Sequence, residues 1–267
     1  MTVLNDFFSP LWQQYSAISP QASAIQRLFA EEGEPLVNDH IAFRTFADSP
    51  ISIDYLEKEI FALGYRHLDS YHFAKKKLDA RCYIHPQSAT KIFISELLRS
   101  ELSVGAQNII NKLLEQITTE ACIDLHAGRI WQLPDYADYL TLLEESEYAA
   151  WLSVWGLRAN HFTLFVNHFK KYRQLSQVVD LLQQQGYQLN SAGGVIKGSA
   201  DDLLIQASTM ADLCEVEFED AGKQRITTCY YEFAQRFKQA DGQLFQGFVP
   251  GSADKIFEST NIGGSND

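Results

Sequence analysis

One pattern occurs twice in this chain, and it limits the fold more than any single motif does. A polar residue followed by histidine opens a short alternating segment, first at Asp39-His40-Ile41-Ala42-Phe43-Arg44-Thr45-Phe46 and again at Asn160-His161-Phe162-Thr163-Leu164-Phe165-Val166. An apolar stretch with helical spacing follows each time: Ile53, Leu56, Ile60 and Leu63, then Leu175, Val178, Val179 and Leu182. Each stretch stops at Gly-Tyr, 24 residues after His40 (Gly64-Tyr65) and 25 after His161 (Gly186-Tyr187). Further strand-like segments follow, at 67–74, 78–85 and 91–97 in the first copy and at 194–197, 203–208, 213–219 and 226–233 in the second. A strand–helix–multistrand unit that recurs at this register predicts an α+β fold of two βαβββ modules.

Around the modules the chain reads as helical. Residues 1–35 place Leu11, Tyr15, Ile25 and Leu28 on one face. The first module spans 36–117 and closes with a helix over 104–117, and the second spans 159–260. Between them, 118–158 is too rich in apolar and aromatic residues (Trp131, Tyr136, Tyr139, Trp151, Trp155) for a flexible linker and is expected to pack against both. The tail 261–267 reads as disordered.

With 46% hydrophobic and 21% charged residues, the composition is that of a soluble globular protein. A net charge of −12 without a Lys/Arg cluster argues against nucleic-acid binding, which needs a basic footprint. The start lacks the features of a signal peptide, and no apolar run reaches the ~20 residues that span a bilayer. Cys82, Cys122, Cys214 and Cys229 form no CxxC and read as mostly buried thiols of a cytoplasmic protein.

If the two first strands pack together, His40 and His161 point into one cavity. Two neutral imidazoles suit Fe, Mn, Ni, Zn or Cu. Glu232, in the aromatic segment Cys229-Tyr230-Tyr231-Glu232-Phe233-Ala234-Gln235-Arg236, can complete such a site, or it can lie on a solvent face paired with Arg236 or a lysine. Arg44 shares a strand face with His40, and its guanidinium can clamp a carboxylate; the plainer reading of that strand is two unrelated polar residues. Glu96 ends the corresponding late strand of the first module and can serve as a fourth ligand, a nearby base or a solvated strand end. His67, His72, His85, His126 and His168 read as ordinary histidines.

The segments 38–46, 160–163 and 231–236, with the C-terminal Phe248-Val249-Pro250-Gly251-Ser252-Ala253-Asp254-Lys255-Ile256-Phe257-Glu258-Ser259, together resemble the DUF1338 family over about residues 35–260. That family includes the 2-oxoadipate dioxygenase/decarboxylases, also called hydroxyglutarate synthases, and belongs to the vicinal oxygen chelate superfamily. The resemblance implies that His40, His161 and Glu232 bind Fe(II), with Zn, Mn or Ni as substitutes, and that Arg44 holds a substrate carboxylate and is catalytic. It implies that Gly251 and Ser252 line the substrate pocket, that the substrates are a small 2-oxo acid and O2, and that the reaction belongs to lysine catabolism. The alternative is a glyoxalase-like lyase, isomerase or hydrolase on the same scaffold. One departure stands out: only about fifteen residues separate Glu232 from Phe248, where well-studied members carry extra segments, which bears on specificity for 2-oxoadipate.

Overall fold

The structure, a computed structural model, describes residues 3–118 and 123–260. Helices α1 (Val3–Ile18) and α2 (Pro20–Glu31) precede the first module, which comprises β1 (Asn38–Phe46), α3 (Ile53–Ala62), β2 (Arg66–Phe73), β3 (Leu78–His85) and β4 (Ser88–Leu97). Helices α4 (Val104–Leu114), α5 (Tyr136–Glu145) and α6 (Glu147–Trp155) lead to the second module. That module contains β5 (Ala159–Phe165), α7 (Leu175–Gln184), β6 (Lys197–Ser199), β7 (Leu204–Ser208), β8 (Leu213–Phe218), β9 (Gly222–Thr227) and β10 (Tyr230–Arg236), and α8 (Pro250–Ile256) follows it.

Eight strands form one sheet in the order β2-β3-β4-β1-β5-β10-β7-β6. Outward from the antiparallel β1–β5 seam, the halves read β1-β4-β3-β2 and β5-β10-β7-β6. In each half the first strand runs parallel to its neighbour, and the remaining pairs are antiparallel. The two βαβββ modules are therefore present and related by pseudo-twofold symmetry. The repeated Gly-Tyr has a physical cause. Gly64 and Gly186 adopt φ of +91° and +82°, which an L side chain resists, and end α3 and α7. The following Tyr65 and Tyr187 donate their N–H to Ile60 O and Leu182 O, so both helices close with the same C-terminal capping motif.

Two strand expectations in the second module are corrected. The single strand expected over 226–233 is two: β9 pairs with β8 in a separate two-stranded sheet, and β10 enters the main sheet. The break falls at Thr228 and Cys229, where Thr228 N–H donates to Asp212 O and Asp212 N–H to Cys229 O. The strand expected at 194–197 starts only at Lys197, where pairing with Gln206 of β7 begins, and Gly193 and Gly194 before it turn the chain with positive φ.

The outer face of the second module is covered by α1 and α2, through Trp12 and Tyr15 on Phe162 and Phe29 on Phe233. Helix α6 is buried from Tyr148 to Trp155. Cys82 and Cys229 are buried, Cys214 is half-buried, and Cys122 lies outside the described residues, as does the tail from 261. No helix among the described residues is long and apolar enough to cross a membrane.

Glu34 ties the N-terminal helices to the second module. Its buried carboxylate accepts the backbone N–H groups of Lys170, Lys171 and Tyr172 at 2.5, 2.7 and 2.9 Å. Burial alone raises the pKa of a carboxyl, but these bonds outweigh it and hold Glu34 below its usual value. A lowered folded-state pKa gives stability that is present above the unfolded value, near 4.5, and lost as pH falls through the folded one. Glu34→Gln should cost about 1–3 kcal/mol at neutral pH and flatten the acid limb of stability against pH, measured by urea denaturation between pH 3 and 7.

Candidate metal centre

The seam of the sheet builds the site. Strand register sets His40 opposite Thr163, His161 opposite Ala42 and Tyr230, and Glu232 opposite Thr163. The side chains of His40, His161 and Glu232 meet in one group and are 2%, 5% and 0% exposed. Such burial removes the solvent-face reading of Glu232. The two Nε2 atoms lie 3.3 Å apart, with the Glu232 oxygens 3.3 Å from His161 Nε2 and 3.7 Å from His40 Nε2. Adjacent donors about 2.1 Å from a common ion stand roughly 3 Å apart, so these spacings fit one metal.

Proton placement strengthens the case. His40 Nδ1 bonds Asp39 Oδ1 at 2.9 Å, and His161 Nδ1 bonds Asn160 Oδ1 at 3.1 Å. Each Nδ1 is thus the donor, and both Nε2 lone pairs converge on the same point. Glu232 Oε1 accepts from Gln206 Nε2 at 2.6 Å, while Oε2 has no hydrogen-bond partner among the described residues. The Thr163 hydroxyl can donate to His40 Nε2 at 3.1 Å, but the His161 Nε2 lone pair faces His40 Nε2 and the unpartnered Glu232 oxygen, an arrangement that a cation would stabilise. Burial pushes His161 well below its usual pKa and Glu232 up to about 8, with the charge of Asp39 adding to the latter. The imidazoles are therefore neutral, as ligation requires, and a cation would restore the carboxylate.

The polar residue ahead of each histidine acts as its orienting partner. β1 is irregular against β5 at Asp39, whose carboxylate is gripped by Arg236 at 2.6 and 2.9 Å, with Lys91 at 3.8 Å. Arg236 also donates to Phe245 O and Gly247 O, which anchors the chain just before Phe248. The Phe248 ring meets His40 edge-on at 4.8 Å.

Other sequence-predicted residues fall differently. Glu96 is no ligand: Phe93, opposite Ala42, takes the position in the first module that Glu232 holds in the second, and Glu96 faces the other side of the sheet. There Glu96 accepts the Ile53 N–H at 2.9 Å and caps α3. Arg44 is buried but already engaged, with Nη1 on Glu147 at 3.0 and 3.2 Å, Nη2 on Thr260 Oγ1 at 3.1 Å, and Tyr148 and Trp151 against the guanidinium. It lines an outer cleft of about 520 Å³ with Lys75, Lys76 and Lys77, and Phe257 stands between this cleft and the metal cavity. Gly251 is exposed, and Ser252 is buried with its hydroxyl toward Gly198. The C-terminal segment walls the cavity instead through Phe248, Ala253, Ile256 and Phe257. Tyr230, Thr163 and Gln206, which the sequence did not single out, complete the surroundings; Thr163 Oγ1 lies 3.1 Å from His40 Nε2.

Among the described residues, His126 is the one weaker histidine that joins a cluster of potential ligands, with Glu59 and Asp124. Those three are half-exposed and serve as structural ties: His126 Nε2 bonds Phe7 O, and Glu59 accepts the Leu125 N–H.

A family model described as 2-oxoadipate dioxygenase/decarboxylase matches residues 125–243. The chain is 34% identical over 275 residues to the chloroplastic/amyloplastic 2-oxoadipate dioxygenase/decarboxylase of Oryza sativa subsp. japonica, covering 92% of this chain and 76% of the relative. Its fold superimposes on the hydroxyglutarate synthase of Oryza sativa in complex with 2-oxoadipate, with a TM-score of 0.89 and 31% identity over 96% of this chain and 91% of that one. A candidate hydrolase from Shewanella frigidimarina NCIMB 400 aligns with a TM-score of 0.87 and 43% identity over 94% and 99% of the two chains.

Proposed function

Because the chain belongs to the 2-oxoadipate dioxygenase/decarboxylase family, we propose that it is an Fe(II)-dependent enzyme that converts a 2-oxo acid of the 2-oxoadipate type, with O2, to the hydroxy acid one carbon shorter and CO2. For 2-oxoadipate the balance is one acid and one O2 in, one 2-hydroxyglutarate and one CO2 out. The observation that carries this reading is the convergence of both imidazole Nε2 atoms on the orphaned oxygen of Glu232. Iron held there would supply a Lewis-acidic, redox-active centre with positions left open for the acid and O2. Zn, Mn or Ni suit the same donors and can occupy them in purified protein.

The chain's own residues do the rest. Asp39 and Asn160 fix the ligand imidazoles, and Gln206 fixes Glu232. Phe93, Phe248 and Phe257 exclude water. Phe93 leaves the fourth side of the centre without a protein donor, which keeps it free for substrate. The free volume beside the donors is about 20 Å³, room for about one water, so entry of an acid displaces the wall formed by the C-terminal segment. Arg44 binds a substrate carboxylate by exchanging it for Glu147. Arg44→Ala should therefore raise KM for the acid at least about tenfold while iron occupancy, read by metal analysis, stays near that of the parent protein.

The test is stoichiometry. After anaerobic loading with Fe(II), O2 uptake, CO2 release and hydroxy-acid formation are measured for 2-oxo acids of increasing chain length. Equal amounts of all three with 2-oxoadipate support the reading. Turnover of a carboxylic acid without O2 uptake would instead favour a lyase, isomerase or hydrolase reaction, the last being the description given to the Shewanella relative.

A further inference from the structure

Tyr230 lies on β10 two residues before Glu232 and on the same face, opposite His161 in the register. Its ring stacks on the His161 imidazole at 4.6 Å and 23° and lines the metal cavity with all three candidate ligands. The residue is 0% exposed, yet its hydroxyl has no hydrogen-bond partner among the described residues. A buried phenol that donates to nothing is unfavourable relative to a bonded one. Stacking on His161 does not need the oxygen, since phenylalanine would fill that role. Gln206 Oε1, an acceptor on the same cavity, is also buried and unpartnered. The Tyr230 hydroxyl is the unpartnered donor among the residues lining this cavity, and a ligand oxygen would satisfy it.

We propose that Tyr230 is a substrate-binding residue whose hydroxyl donates a hydrogen bond to an oxygen of the 2-oxo acid seated at the metal. The inference rests on the function proposed above and adds to it a recognition group other than the metal ligands and Arg44. Tyr231 provides an internal control. Its hydroxyl is also buried, but its ring packs against Trp12 and Tyr15 and its hydroxyl lies by Gln26 on the outer face, away from the cavity.

The experiment compares the parent protein, Tyr230→Phe and Tyr231→Phe, each full length and loaded with Fe(II) under anaerobic conditions. Calorimetric titration gives the Kd for Fe(II) and then, separately, the Kd for 2-oxoadipate. Tyr230→Phe should keep its Fe(II) Kd within about twofold and bind 2-oxoadipate roughly tenfold more weakly, the factor that one good hydrogen bond supplies. Tyr231→Phe should match the parent in both. Unchanged 2-oxoadipate binding in Tyr230→Phe would overturn the inference, as would a loss of Fe(II) affinity equal to the loss for the acid, which would mean a purely structural role. A parent protein that binds Fe(II) but no 2-oxo acid would overturn the proposed function itself, an outcome visible before any variant is compared.

Discussion

Glu232→Ala should lose Fe(II) binding and turnover together, activity falling by roughly 10³-fold or more because several kcal/mol of metal-dependent stabilisation disappear with the only anionic donor. The Glu232 charge itself should not support the fold of the metal-free protein. Glu232 is fully buried, its carboxyl is pushed up to about 8 by that burial, and one of its oxygens is unpartnered. Glu232→Gln tests this half more cleanly. It keeps an acceptor for Gln206 and removes the desolvated charge, so its metal-free midpoint in chemical denaturation should equal or exceed that of the parent. A Glu232→Gln protein that is inactive and also markedly less stable without metal would assign Glu232 a structural role instead.

Asp39→Ala should produce the largest loss of stability. The carboxylate is fully buried between Arg236 and Lys91, both also buried, and they hold it well below the usual carboxylate range against the opposing effect of burial. Removing it strands the Arg236 guanidinium in the interior, at a cost of about 3–5 kcal/mol. His40 also loses its orienting partner, which should lower Fe(II) affinity about 10–100-fold. Asp39→Asn separates the two effects. It recreates the arrangement that Asn160 already provides for His161, so metal affinity should recover more than stability does. Urea denaturation and anaerobic Fe(II) titration of both variants check this; equal losses in the two variants would contradict it.

The parts of this molecule that were readable from its sequence share a cause. Gly64-Tyr65 and Gly186-Tyr187 are legible because helix capping is local and demands a left-handed residue at that point. His40 and His161 stand out because the repeat places them at the same point of equivalent strands, and Glu232 because it lies between Cys229-Tyr230-Tyr231 and Phe233-Ala234. Features set by strand register and long-range pairing were hidden. Only the pairing of β1 with β4 reveals that Phe93, not Glu96, occupies the pseudo-twofold position of Glu232. Glu147 and Thr260, which engage Arg44, lie 103 and 216 residues away in sequence. Gln206 reaches Glu232 from a neighbouring strand and carries no sequence mark. Tyr230 did have one: it sits two residues before Glu232, on the same strand face. The β8–β9 hairpin was missed because β9 and β10 follow one another with only two residues between and read as one strand.

Iron-edge anomalous diffraction from crystals grown with Fe(II) under anaerobic conditions tests the metal centre most directly. The expected result is a single peak about 2 Å from His40 Nε2, His161 Nε2 and a Glu232 oxygen. An empty seam, or iron bound only at the Glu59, Asp124 and His126 cluster, would contradict it.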